Sequence, residues 1–157
     1  MRRTDREVTD RQEIISILNK CEVIRLGLNT PDYPYVVTMN FGFVDMKPQL
    51  AIFLHCAPEG LKLDLIKQDN RVGFAADCSH RLITGEKACN YSMKYESVMG
   101  RGVVRVCADN ERKIQGLRAI MGHYTPEREF TFTEQQLASI CVLHLEVREI
   151  TGKRSLK

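Results

Sequence analysis

Nothing in this chain is long and apolar enough to cross a membrane as a helix, which takes roughly 18 consecutive apolar residues. The N-terminal stretch is charged throughout and lacks the apolar core of a signal peptide, so a cytoplasmic location and no membrane partner are expected. Charge of one sign is also missing. The net charge is only +3, and the basic residues are dispersed apart from Met1-Arg2-Arg3 and Lys153-Arg154. That excludes the basic groove of a nucleic-acid binder, and the two clusters read as solvated tails. The six cysteines (Cys21, Cys56, Cys78, Cys89, Cys107 and Cys141) contain no CxxC pair, and no two close ligand pairs suit zinc. His55 and Cys56 are adjacent, but neighbours on a strand point to opposite faces, so no metal is expected. The thiols are expected to be reduced and mostly structural. A GxSxG elbow, a GxxxxGK[ST] loop and an HExxH helix are all absent, as are repeats, linkers and low-complexity segments.

What is present suits one domain with one core: 157 residues, 43% of them hydrophobic. Thr9 or Asp10, with Gln12 or Glu13 three residues on, signals the start of a first helix. Strand patterns follow at Glu22–Leu28, Tyr35–Val44 and Gln49–His55, separated by turns at 29–32 and 45–48. Pro58–Lys67 reads as a helix with proline in its first turn. Arg71–Ala76 is a short strand, and Cys78–Tyr95 carries no clear pattern. Ser97–Ala108 is a long strand, Asn110–Tyr124 an amphipathic helix, and Thr133 with Gln136 caps a last short one. Ile140–Ile150 alternates, with Cys141, Leu143, Leu145 and Val147 on one face and His144 on the other, where it is expected to be exposed. About six strands joined mainly by short turns predict an α+β domain built on a small antiparallel barrel.

Two neighbouring segments carry the candidate chemistry. On Tyr35–Phe43, Tyr35, Val37, Met39, Phe41 and Phe43 form a core face. The other face, Val36, Thr38, Asn40 and Gly42, is small and partly polar where a solvated face would carry Lys, Glu or Arg. It suits either a half-exposed strand or a platform for a flat heteroaromatic ring, with backbone amides of Thr38–Asn40 aimed at ring polar atoms. After His55 the chain runs through Cys-Ala-Pro-Glu-Gly into a helix whose N-terminal N–H groups would bind phosphate. Gly60 permits close approach, and Lys62 is a cation where the helix dipole favours an acid, unless an anion meets it or it is simply a surface lysine. His55 is either a hydrogen-bonded structural residue or an acid–base group beside that turn. Ser97-Val98-Met99-Gly100-Arg101-Gly102 holds a GxG inside a strand, which suits a barrel bend or a flat packing surface and is no dinucleotide fingerprint.

The stretches RLGL (Arg25–Leu28), PYVVTMNFGF (Pro34–Phe43), LHCAPEGLKLDLIK (Leu54–Lys67), GEKACNYSMKYESVMGRG (Gly85–Gly102), HYTPE (His123–Glu127) and the terminal EITGKR resemble the flavin-binding split-barrel proteins related to pyridoxamine 5′-phosphate oxidase. Within that group the likeness is to the nitroimidazole-resistance type. It implies a six-stranded antiparallel split β-barrel with flanking helices. It also implies a homodimer holding FMN or FAD in two clefts at the subunit interface. The strand matching Val36, Val37, Thr38, Met39 and Asn40 would lie along the isoalloxazine. The segment matching His55, Cys56, Ala57, Gly60 and Lys62 would hold the phosphate, and Ser97 would add a polar contact. His55 is the implied catalytic residue. The implied activity is reduction of a small electron-poor acceptor such as a nitroaromatic. A non-catalytic module binding flavin or haem is the alternative.

Overall fold

The Asp10 carboxylate accepts a hydrogen bond from the Glu13 N–H at 3.0 Å, and helix α1 (Arg11–Lys20) starts there. The structure, a computed structural model, describes residues 3–155. Eight strands follow one another as β1 (Glu7–Val8), β2 (Ile24–Leu28), β3 (Tyr35–Met39), β4 (Phe41–Met46), β5 (Gln49–Cys56), β6 (Arg71–Ile83), β7 (Ser92–Val106) and β8 (Cys141–Ser155). Helices α2 (Leu61–Gln68), α3 (Asn110–Tyr124) and α4 (Glu134–Ala138) lie between them. All pairings are antiparallel in the order β3-β2-β6-β7-β8-β5-β4, with β1 added alongside β8. The α+β split barrel read from the sequence is the architecture found.

The barrel closes at one residue. β3 and β4 are the two ends of the hydrogen-bonded path, yet only Asn40 separates Met39 from Phe41. The sheet must therefore curl until its edges meet at that corner, which leaves few unpaired edges. The predicted single strand Tyr35–Val44 is thus two strands on opposite edges. That break and the two-residue β1 raise the count from six to eight.

Two apolar clusters sandwich β5. Ile52 and Leu54 point into the barrel with Ile17, Leu26, Phe41 and Leu143, while Ala51 and Phe53 point outward beneath α3 and α4 with Leu117 and Val142. Burial on both faces explains why β5 reads as a continuous apolar run.

Several sequence expectations change. Pro58 does not enter a helix; it lies in the bend before Gly60, the N-cap of α2. The unpatterned Cys78–Tyr95 is largely strand, because β6 and β7 run on as a long hairpin past a bulge between Cys78 and Arg81. Lys153 and Arg154 are no solvated tail: both belong to β8, opposite Ser97 and Glu96, and Arg154 Nε donates to Glu96 Oε1 at 2.7 Å. Met1 and Arg2 of the other cluster fall outside the described residues. His144 is half-buried under α3, stacked 5.1 Å from the Phe53 ring, with Arg112 Nη2 3.1 Å from its Nε2. The polar face of β8 is covered there by a helix.

Candidate functional site

The barrel corner is assembled by α3. Tyr124 Oη accepts from the Phe41 N–H at 3.1 Å and from Asn40 Nδ2 at 3.2 Å, and donates to the Glu22 carbonyl at 2.6 Å. The neighbouring His123 ring packs 4.6 Å from the Phe41 ring, and its Nε2 donates to the Cys21 carbonyl at 2.8 Å. Both side chains leave the last turn of one helix, so the segment His123-Tyr124 fixes the path from β3 to β4.

From that corner β3 presents two faces. Val37 and Met39 point into the core, so only their backbone is available outside. Val36 is 62% exposed, and Thr38 and Asn40 are exposed beside it. Thr38 pairs with Arg25, Arg25 with Ala75, and Ala75 with Met99, one row across four strands. The next row runs Val36, Gly27, Gly73, Arg101. Each strand step is about 4.8 Å, so the rows span about 14 Å; Thr38, Gly27, Gly73 and Ala75 are small, while Arg25, Met99 and Arg101 are long side chains on the same surface. Ser97 lies on β7 opposite Asp77, beside these rows. The structure thus places Thr38 and Ser97 on one outer surface, with Arg25 and Asp77 between them.

Arg25 and Asp77 form an ion pair, and His80 Nε2 lies 3.1 Å from the other Asp77 oxygen. None of the three was singled out by pattern. The bulge beside Ser79 breaks the alternation around His80, whereas Arg25 is legible as the outward position between buried Ile24 and Leu26.

Two glycine features belong to packing. Gly42 faces Ala119 of α3, so the platform ends at Asn40. A Cβ at Gly100 would stand 2.4 Å from the Phe74 ring and one at Gly102 2.2 Å from the Glu146 carbonyl, next to a β7–β8 bulge. The GxG is a bend in the barrel wall.

The second candidate segment begins at the same corner. Phe41–Leu54 is the last pair of the β4–β5 ladder, and Asn40 and His55 are the residues that follow the pair in the two directions along the sequence. His55 is exposed at the end of β5; Cys56, half-buried, turns inward against the barrel core opposite Cys141. Ala57 through Gly60 form an exposed bend. Gly60 has φ +132°, a conformation that glycine adopts without strain, and its carbonyl accepts from Leu63 N–H at 2.9 Å. It offers no side-chain cap, so the N–H groups of Leu61 and Lys62 face outward from the intrahelical ladder. Lys62 is half-buried, and among the described residues no carboxylate lies within ion-pair distance of it. A cation and unused helix N–H groups together form a donor set suited to phosphate.

Comparison with known proteins gives the family. The sequence profile described as pyridoxamine 5′-phosphate oxidase matches residues 10–154. No curated protein matches the chain in sequence. Among solved structures, a protein of Bacteroides thetaiotaomicron assigned to 5-nitroimidazole antibiotic resistance is 33% identical, with a TM-score of 0.82 over 94% of this chain and 86% of that one. An FAD- and haem-binding protein of Mycobacterium smegmatis superposes with a TM-score of 0.84 at 18% identity, over 97% of this chain and 74% of that one. A flavocytochrome of Azotobacter vinelandii gives 0.82 at 18% identity, over 100% and 72%. At that identity the last two establish the shared fold alone. The profile spans nearly the whole chain, and by it this protein belongs to the pyridoxamine 5′-phosphate oxidase family.

Proposed function

We propose that this protein binds a flavin, FMN or FAD, as a homodimer and uses it to reduce a small electron-poor acceptor of the nitroaromatic kind. The observation that carries the reading is the surface running from the Val36–Asn40 strand to the Gly60–Lys62 helix start. A surface of outward Val36 and Thr38, Gly27, Gly73 and Ala75, crossed by the Arg25–Asp77 ion pair, adjoins the corner from which Lys62, without a carboxylate partner among the described residues, and free helix N–H groups lead off. The residues fit the group: Thr38 and Asn40 would border the ring, while Lys62 and the backbone beyond Gly60 would meet its phosphate. The likeness to the Bacteroides protein supports the acceptor class.

When bound, the flavin supplies hydride transfer to the acceptor. The chain supplies position and charge. Lys62 and the α2 N-terminus would hold the anionic end, and the Tyr124 hydrogen bonds fix Asn40 where it would border the ring. His55, exposed at the end of β5 one residue past the Phe41–Leu54 pair, would give a proton to the acceptor. Val36 and Met99, the latter 46% exposed, give the outer face apolar area that a second protomer would cover, excluding water from the ring.

The test begins with the visible absorption spectrum of the purified protein and the mass of any released cofactor. Flavin absorbance, with reoxidation of the reduced protein by a nitroaromatic faster than that of free flavin, is the expected result. A protein that stays colourless after incubation with FMN and FAD overturns the reading. Flavin binding with reoxidation no faster than free flavin leaves a flavin-holding module without turnover.

A further inference from the structure

Two cysteines lie face to face at the mouth of the Ala57–Gly60 bend. Cys56, the last residue of β5, pairs directly with Cys141, the first of β8, and both are free thiols. Directly opposed residues on antiparallel strands project to the same face with Cα atoms roughly 4.5–5.5 Å apart. A disulfide spans Cα separations of roughly 4.4–6.8 Å, and a directly opposed pair falls within that range. The two thiols differ in access: Cys56 is half-buried, Cys141 buried. Burial first, and then the Cys56 thiol against it, push the Cys141 thiol up to about 11. Although it leans on the core, Cys56 is the less buried of the two and so the one more open to a solvent-borne oxidant, with Cys141 behind it.

We propose that Cys56 and Cys141 are a redox-active pair that a hydroperoxide converts to a disulfide. The Cys56 thiolate attacks one peroxide oxygen, the O–O bond breaks, and the leaving hydroxide takes up a proton, giving Cys56 sulfenic acid and water. The Cys141 thiol then loses its proton and attacks the Cys56 sulfur. The S–O bond breaks, hydroxide leaves with that proton as water, and the S–S bond forms. Two thiols and one hydrogen peroxide thus give one disulfide and two waters. The sulfurs lose two electrons and the peroxide oxygens gain them. Register opposition keeps the second step intramolecular, which favours it over further oxidation of Cys56. The other thiols compete poorly: Cys21, Cys78 and Cys107 are buried, and Cys89 is exposed but on the connection between β6 and β7.

Full-length reduced protein carrying Cys89→Ser is treated with hydrogen peroxide, alkylated, digested without reduction and analysed by mass spectrometry. The expected product is one new cross-link between the Cys56 and Cys141 peptides, removed by dithiothreitol. Cys56 carried on to sulfinic acid while Cys141 is alkylated overturns the proposal, as does recovery of both thiols unoxidised. A second arm adds Cys141→Ser and labels sulfenic acid with dimedone. Labelling of Cys56 should rise several-fold over the protein that retains Cys141, and equal labelling overturns the assigned order of attack. The cross-link measurement needs neither cysteine of the pair changed, so it stands even if the second variant folds poorly.

Discussion

Gly42 of β4 lies so close to α3 that a Cβ there would stand 2.2 Å from the Ala119 carbonyl oxygen. The atoms met are backbone, which cannot swing aside. Gly42→Ala must push α3 off the sheet and with it Leu117 and Ile120 from the outer cluster. A loss of about 3 kcal/mol in unfolding free energy is expected by denaturant titration. Near-native stability would mean that the helix does not seat on β4 as described.

Tyr124 is the hinge pin of the barrel corner, and one oxygen serves three partners. Tyr124→Phe leaves the Phe41 N–H and the Glu22 carbonyl without it. A cost of about 1–3 kcal/mol follows. The more telling measurement is hydrogen exchange at the Phe41 amide, which should speed up in the variant more than at amides of the β6–β7 ladder. Uniform acceleration would reflect general destabilisation instead.

The alternation of Tyr35–Phe43 was enough to assign its inward and outward faces, because side-chain direction has period two whether or not the strand continues. It could not reveal the break at Asn40. That break depends on Tyr124, more than eighty residues away, and no local pattern reports so distant a hydrogen bond. Helix starts at Asp10 and Thr133 were legible because a cap is a local interaction, and each side chain does accept from the N–H three residues on. Pro58 suits a first helical turn and so predicts an earlier α2 start, whereas Gly60 at φ +132° sets the boundary. At the candidate site, Thr38 and Lys62 were visible as exceptions to their surroundings. The Arg25–Asp77–His80 cluster was not, since it is created by strand pairing across a bulge.

Lys62 separates phosphate binding from folding. Among the described residues it has no carboxylate partner, so Lys62→Ala should leave thermal stability nearly unchanged. Flavin affinity should fall by the loss of a charge-assisted contact, about 1.5–3 kcal/mol, or about 10- to 150-fold in Kd. Lys62→Arg should recover part of it. Unchanged affinity in Lys62→Ala, by fluorescence titration with FMN and FAD, removes Lys62 from the site.

Glu96 makes acid stability the sharpest readout of the fold's polar interior. It is 7% exposed and accepts from Lys20 Nζ at 2.8 Å, Arg154 Nε at 2.7 Å and Ser79 Oγ at 3.2 Å, tying α1, β6, β7 and β8 together. Burial, the largest influence, pushes its carboxyl up, but the Lys20, Arg154 and Ser79 contacts together outweigh it and hold the group below its ordinary 4.5. A carboxylate depressed on folding contributes stability above its unfolded value and loses it as pH falls through the folded one. His144 acts in a higher window. Burial and Arg112 lower it from 6.5, so the unfolded chain takes up its proton first and stability declines as pH drops below that value. Glu96→Gln should cost about 2–3 kcal/mol at neutral pH and flatten the decline below pH 4.5, leaving the decline nearer pH 6 intact. His144→Asn should do the reverse. Denaturant titrations of the three proteins across pH 3–7 decide it, and parallel curves below pH 4.5 would show that Glu96 does not link folding to acid.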